Sequence, residues 1–127
     1  MNPIIAQYFD TIEIGLVQSP IIVSYRVIRQ EITPIDGKVR VNTCLSDGGI
    51  LEFFEYVIET GGNIQLSKYS FHWQDAQGNL KKRWDNAPHH PELPNSPHHV
   101  HLENDTVQSM IKIPDIFYVI EQIEEIM

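Results

Sequence analysis

The chain has a single cysteine, Cys44, so it can close no internal disulfide. No apolar run approaches the roughly 20 residues that a membrane-spanning helix needs. The opening run MNPIIAQYFDTIEIG has no basic stretch and carries Asp10 and Glu13, so it does not read as a signal peptide. These absences point to a cytoplasmic protein. Cations are also scarce, with nine Lys and Arg against 17 Asp and Glu and a net charge of −8. That balance counts against a general nucleic-acid binder, whose affinity comes from neutralising phosphates, but it leaves room for a small basic site. The glycine pairs at 48–49 and 61–62 sit in turns with no helix following, so neither is a phosphate loop. No internal period of 20 to 50 residues appears, which excludes a solenoid.

The rest of the composition is that of one ordinary globular domain covering residues 1–127, with 42% hydrophobic and 20% charged residues. Asn2-Pro3 caps and starts a helix over about 3–17, on which Ile5, Tyr8, Phe9, Ile12 and Leu16 form an apolar stripe. Strand alternation follows: Ile21, Val23, Tyr25 and Val27; then Val39, Val41, Thr43 and Leu45; then Leu51, Phe53 and Val57. Ile64 and Leu66 open a fourth strand whose parity shifts before Tyr69, Phe71 and Trp73, which predicts a bulge near Ser67 and Lys68. Asp75 to Asn79 is a hairpin loop, and Leu80, Lys82 and Trp84 continue on a fifth strand. Pro88, Pro91, Pro94 and Pro97 then force an extended path, with a short strand expected through Val100 to Leu102. Pro114-Asp115 opens a second helix. The expected fold is α+β: a helix, an antiparallel meander of five or six strands, a proline- and histidine-rich loop, and a C-terminal helix. Cys44, Trp73 and Trp84 are expected in the core.

All six histidines lie between positions 72 and 101, and Pro-His-His occurs at 88–90 and again at 97–99. Prolines around each pair hold the imidazoles in place. In the hairpin, alternation puts Ser70, His72 and Gln74 opposite the apolar face, together with Lys81, Arg83 and Asp85. His72 then faces Lys81 or Arg83 across the strands, depending on register. Imidazole, guanidinium and carboxylate on one patch suit metal-independent RNA cleavage. One imidazole takes the 2′-hydroxyl proton, a second protonates the leaving oxygen, and a cation stabilises the phosphorane. His72, Arg83, Asp85, His89, His90, His98, His99 and His101 are the candidate residues, with Asp85 as orienter and no cofactor. The alternative is a metal-dependent hydrolase in which His99 and His101, on one side of a strand, bind a divalent ion such as zinc with a third histidine. A non-enzymatic protein-binding module, or a solvated loop, is the remaining alternative.

The run Tyr69 to Leu102, YSFHWQDAQGNLKKRWDNAPHHPELPNSPHHVHL, resembles the signature of the TumE-like toxin family: Y-S-Y-H-W-Q-D, then R-W-D-N-A-P-H-H, then P-H-H-x-H. Phe71 stands where the family usually has Tyr. The motif falls here on His72, Trp73, Arg83, Trp84, Asp85, Asn86, His89, His90, His98, His99 and His101. The resemblance implies the toxin of a type II toxin–antitoxin system, inhibiting growth by cutting RNA. The implied partners are an antitoxin with a helix-turn-helix DNA-binding domain and an RNA substrate, with no membrane and with a homodimer allowed.

Overall fold

The computed structural model describes residues 1–88, 97–110 and 112–127. The first helix, α1 (Pro3–Gln18), begins where the Asn2 side chain accepts hydrogen bonds from the Ile4 and Ile5 N–H groups. The Asn2 amide also donates to the Pro34 carbonyl at 3.0 Å and to Glu59 at 2.8 Å, tying the helix start to the turn after the first strand and to the end of the third strand. Seven strands follow: β1 (Ile22–Ile32), β2 (Asp36–Leu45), β3 (Ile50–Thr60), β4 (Asn63–Gln74), β5 (Leu80–Asp85), β6 (His99–Leu102) and β7 (Val107–Ser109). Each pairs antiparallel with the next in chain order, so the sheet is a pure meander. The second helix, α2 (Ile116–Ile126), closes the described chain, with the Asp115 side chain accepting from Tyr118 N–H as its cap.

The α+β class and both helix starts are as the sequence predicts, whereas seven strands replace the expected five or six. The extra strand is β7, three residues at the sheet edge entered through a turn in which Asp105 has φ of 65°. Three residues are too few to show an alternation, so only the pairing with β6 defines it.

Alternation then determines which side of the sheet is dry. Val39, Val41, Leu51, Phe53, Phe71, Trp73, Trp84 and Val100 pack with Ile5, Phe9, Ile12 and Leu16 of α1 and with Ile116, Val119, Ile120 and Ile123 of α2. The expected bulge at Ser67 is present, as β4 shifts register there against Tyr56 and Val57 of β3. β1 carries two shifts that the sequence does not announce. They leave Val23, expected inside, 70% exposed. Cys44 is also exposed, because it occupies an even position on β2 whereas the buried positions are odd.

Gly37 is where α1 comes closest to the sheet. A Cβ there would lie 2.7 Å from Ile5 Cγ2 and 3.1 Å from the Phe9 ring. Gly37→Ala is therefore expected to cost about 1–3 kcal/mol, the range for overpacking a filled core, measurable by urea unfolding.

Candidate functional site

The sheet face away from the helices is polar, and antiparallel register organises it into rows. One row runs Asn42, Glu52, His72, Arg83, His101 across β2 to β6; its neighbour runs Arg40, Phe54, Ser70, Asp85, His99. By register, Arg26, Arg29, Lys38, Arg40, Lys68 and Arg83 all fall on this face, six of the chain's nine Lys and Arg residues. Arg26 and Arg29 share it because β1 bulges between Val27 and Arg29. Glu31, Asp36, Glu52 and Asp85 are interspersed, while Glu121, Glu124 and Glu125 lie on α2, in the opposite layer. The acidic net charge is thus not spread evenly, and the polar face is its least acidic part.

Of the two residues that could face His72, the structure selects Arg83. The Arg83 guanidinium donates to His72 Nδ1 at 3.3 Å and, through Nε, to Asp85 Oδ2 at 3.1 Å. A guanidinium cannot accept, so His72 Nδ1 presents its lone pair and the ring proton sits on Nε2, which donates to Gln74 Oε1 at 3.1 Å.

A different arrangement lies on the other side of Arg83. His99 Nδ1 is 2.8 Å from the Pro97 carbonyl, which can only accept, so that nitrogen carries a proton. His99 Nε2 turns toward Asp85 Oδ1 at 2.9 Å and His101 Nε2 at 3.0 Å, and His101 Nε2 lies 3.6 Å from Asp85 Oδ2. Asp85 and His99 are buried, at 6% and 1% exposure, and Asp85 Oδ1 also accepts from Ala87 N–H at 3.1 Å.

Two hollows flank Arg83 on this face. A hollow of about 690 Å³ is lined by Lys68, Tyr69, Ser70, Arg83, Asp85 and His101, among others, and falls within the usual size range of ligand sites. A smaller one of about 320 Å³ holds His72, Gln74, Glu52 and Arg40. Ser70 and Arg83 line both, so Arg83 stands between the two.

Five of the sequence-predicted residues thus come together: His72, Arg83, Asp85, His99 and His101. His98 takes another direction. Its Nδ1 lies 2.8 Å from the Tyr69 hydroxyl and its ring stacks on the Tyr69 ring, 5.8 Å between centroids. Burial, and then the neighbouring His99, hold its pKa below the ordinary histidine value. His89 and His90 lie outside the described residues.

Sequence reasoning missed two contributors. Glu52 sits directly across from His72 and pairs with Arg40 at 3.2 Å, and only the register of β3 on β4 brings it there. Asn86, named within the motif but given no role, accepts from Tyr69 N–H at 3.0 Å and donates to the Ser67 carbonyl at 2.9 Å. It closes the β4 bulge where β5 ends. No helix among the described residues is long and apolar enough to cross a membrane.

Comparison with known proteins adds the family. No curated protein and no solved structure gives a significant match. A family model described as Toxin TumE matches residues 12–127, a span that takes in the whole sheet, the polar face and α2. The chain belongs to the TumE toxin family.

Proposed function

We propose that this chain is the toxin of a toxin–antitoxin pair and arrests growth in the cytoplasm by cleaving RNA in the hollow beside Arg83. The observation that carries this reading is the row His72–Arg83–His101, a cation between two imidazoles on three adjacent strands. Strand spacing of roughly 4.8 Å places the outer two on either side of a group held by Arg83. In this scheme Arg83 binds the scissile phosphate and stabilises its developing charge. His72, with Nδ1 as acceptor, takes the proton from the 2′-hydroxyl. The freed 2′-oxygen attacks phosphorus, the bond to the 5′-oxygen breaks, and a 2′,3′-cyclic phosphate forms. The 5′-oxygen receives its proton from the side of Asp85, His99 and His101. Different surroundings on the two sides of Arg83 separate base from acid. The cognate antitoxin, with its helix-turn-helix domain, is the partner proposed to keep the activity in check.

The test uses the purified chain on an RNA oligonucleotide, on the same sequence with 2′-O-methyl groups, and on DNA. The expected result is cleavage of the first alone, with 2′,3′-cyclic phosphate ends. Cutting of DNA or of the methylated strand at a comparable rate would remove the 2′-hydroxyl from the scheme and refute it.

A further inference from the structure

We propose that Asp85, His99 and His101 form a binding site for a divalent ion of the zinc class. The ligand atoms are Asp85 carboxylate oxygen, His99 Nε2 and His101 Nε2, which all lie within 4.8 Å of one another. The sequence alone suggested a third histidine. Among the described residues the third ligand is a carboxylate from β5, because β6 pairs in a register that sets His99 against Asp85.

Four observations carry the site. The first is spacing. Metal–ligand bonds of about 2.1 Å at angles of 90° to 109° put neighbouring ligand atoms about 3.0 to 3.4 Å apart. His99 Nε2 lies 2.9 Å from Asp85 Oδ1 and 3.0 Å from His101 Nε2, and His101 Nε2 lies 3.6 Å from the other carboxylate oxygen, Oδ2, so the carboxylate would meet the ion with either oxygen or with both. The second is proton placement. With Nδ1 of His99 donating to the Pro97 carbonyl, a neutral ring turns a lone pair at Nε2 toward a carboxylate oxygen and a second imidazole nitrogen. That is the orientation a ligating histidine takes, its other nitrogen held by a backbone carbonyl. A single proton on Nε2 can point at only one of the two neighbours, whereas an ion among them satisfies all three contacts.

The third observation is support around the ligands. Asp85 is oriented by Ala87 N–H on one oxygen and by Arg83 Nε on the other, both at 3.1 Å. The fourth is access. Asp85 and His101 line the larger hollow, so among the described residues an ion held by these ligands would border a space able to admit water or substrate. Two imidazoles and one carboxylate favour zinc, manganese, cobalt or ferrous iron over magnesium or calcium, which prefer oxygen donors.

This departs from the metal-free expectation. It rests on the RNA-cleavage reading only for its consequence there: water on such an ion is acidified and can protonate the 5′-oxygen. Binding itself is tested apart from cleavage. Untagged protein is stripped with chelator and titrated with Co²⁺, followed by visible absorption, then competed with Zn²⁺, with thermal melting in parallel. The expected result is one ion per chain, a higher Tm with Zn²⁺, and at least about 100-fold weaker binding in Asp85→Asn and His101→Gln. His72→Gln should bind as the parent does. His101 is partly exposed, so its variant keeps the question open to test if Asp85→Asn fails to fold. Absence of saturable binding, or equal binding by His101→Gln and the parent, overturns the site. If metal-free protein cleaves RNA as fast as the loaded protein, the ion's part in cleavage is refuted and the RNA-cleavage reading stands.

Discussion

Replacing Arg83 by glutamine is expected to abolish growth arrest and to slow RNA cleavage by about 100- to 1,000-fold, the usual loss when a preorganised donor to a developing oxyanion is removed. Arg83 bridges the two sides of the candidate site, donating to His72 and to Asp85. A glutamine amide keeps some hydrogen bonding but carries no charge. Lysine restores the charge without the planar fork, so Arg83→Lys should recover only part of the rate. The loss should not come from unfolding. Arg83 is 39% exposed, and Asp85 retains His99 and the Ala87 N–H as partners. Growth after induction, cleavage rate and Tm measured on the same variants separate the two causes. An Arg83→Gln protein that folds and remains toxic would refute the assignment of the phosphate to this position.

Replacing Glu55 by alanine is expected to cost about 2–4 kcal/mol near pH 5, from a lost side chain in the core and two stranded donors. Glu55 is on the dry face of β3, fully buried, where it accepts from the Tyr8 hydroxyl of α1 and from Ile116 N–H at the start of α2 at 3.0 Å. One carboxyl thus joins sheet, first helix and second helix. Burial pushes its pKa from 4.5 to about 7; the Tyr8 and Ile116 hydrogen bonds oppose the shift, and the Asp115 charge adds to it. The Tyr8 hydroxyl is raised in turn, by burial and then by the Glu55 charge.

The sign follows from linkage. The folded state holds the proton more tightly than the unfolded chain, so this contribution is fully present below about pH 4.5. It is lost as pH rises to about 7, by roughly 3 kcal/mol in total. Glu55→Gln keeps the shape, can accept from Ile116 and donate to Tyr8, and does not ionise. It should match the parent near pH 4.5 and exceed it above pH 7, and the difference between the two urea-unfolding profiles isolates this one group. A constant difference across that range would show that Glu55 does not titrate in the fold.

Particular residues show how far reading along the chain can reach. Asn2-Pro3 and Pro114-Asp115 mark helix starts because caps act within three or four residues of themselves. The side of the sheet taken by His72, Arg83 and Asp85 was legible because parity along a strand is local. The β1 bulges were not, and they changed the environment of Val23 and brought Arg26 and Arg29 to one face. Glu55 shares the parity of Leu51, Phe53 and Val57, but its role as an acceptor for α2 spans 61 positions, and nothing near it in sequence announces that partner.

What the sequence determined by itself is therefore the meander, the helices at its ends, the family signature and the polar parity of the site residues. All of these depend on neighbours a few positions apart. Tertiary structure decided which of those residues meet: Arg83 rather than Lys81 against His72, and Asp85 beside His99 and His101. The physical reason is that pairing register is chosen by the whole sheet, through loop lengths, bulges and the burial of Phe71, Trp84 and Val100 on the opposite face. A slip of one residue would turn that core outward and scatter the site with it.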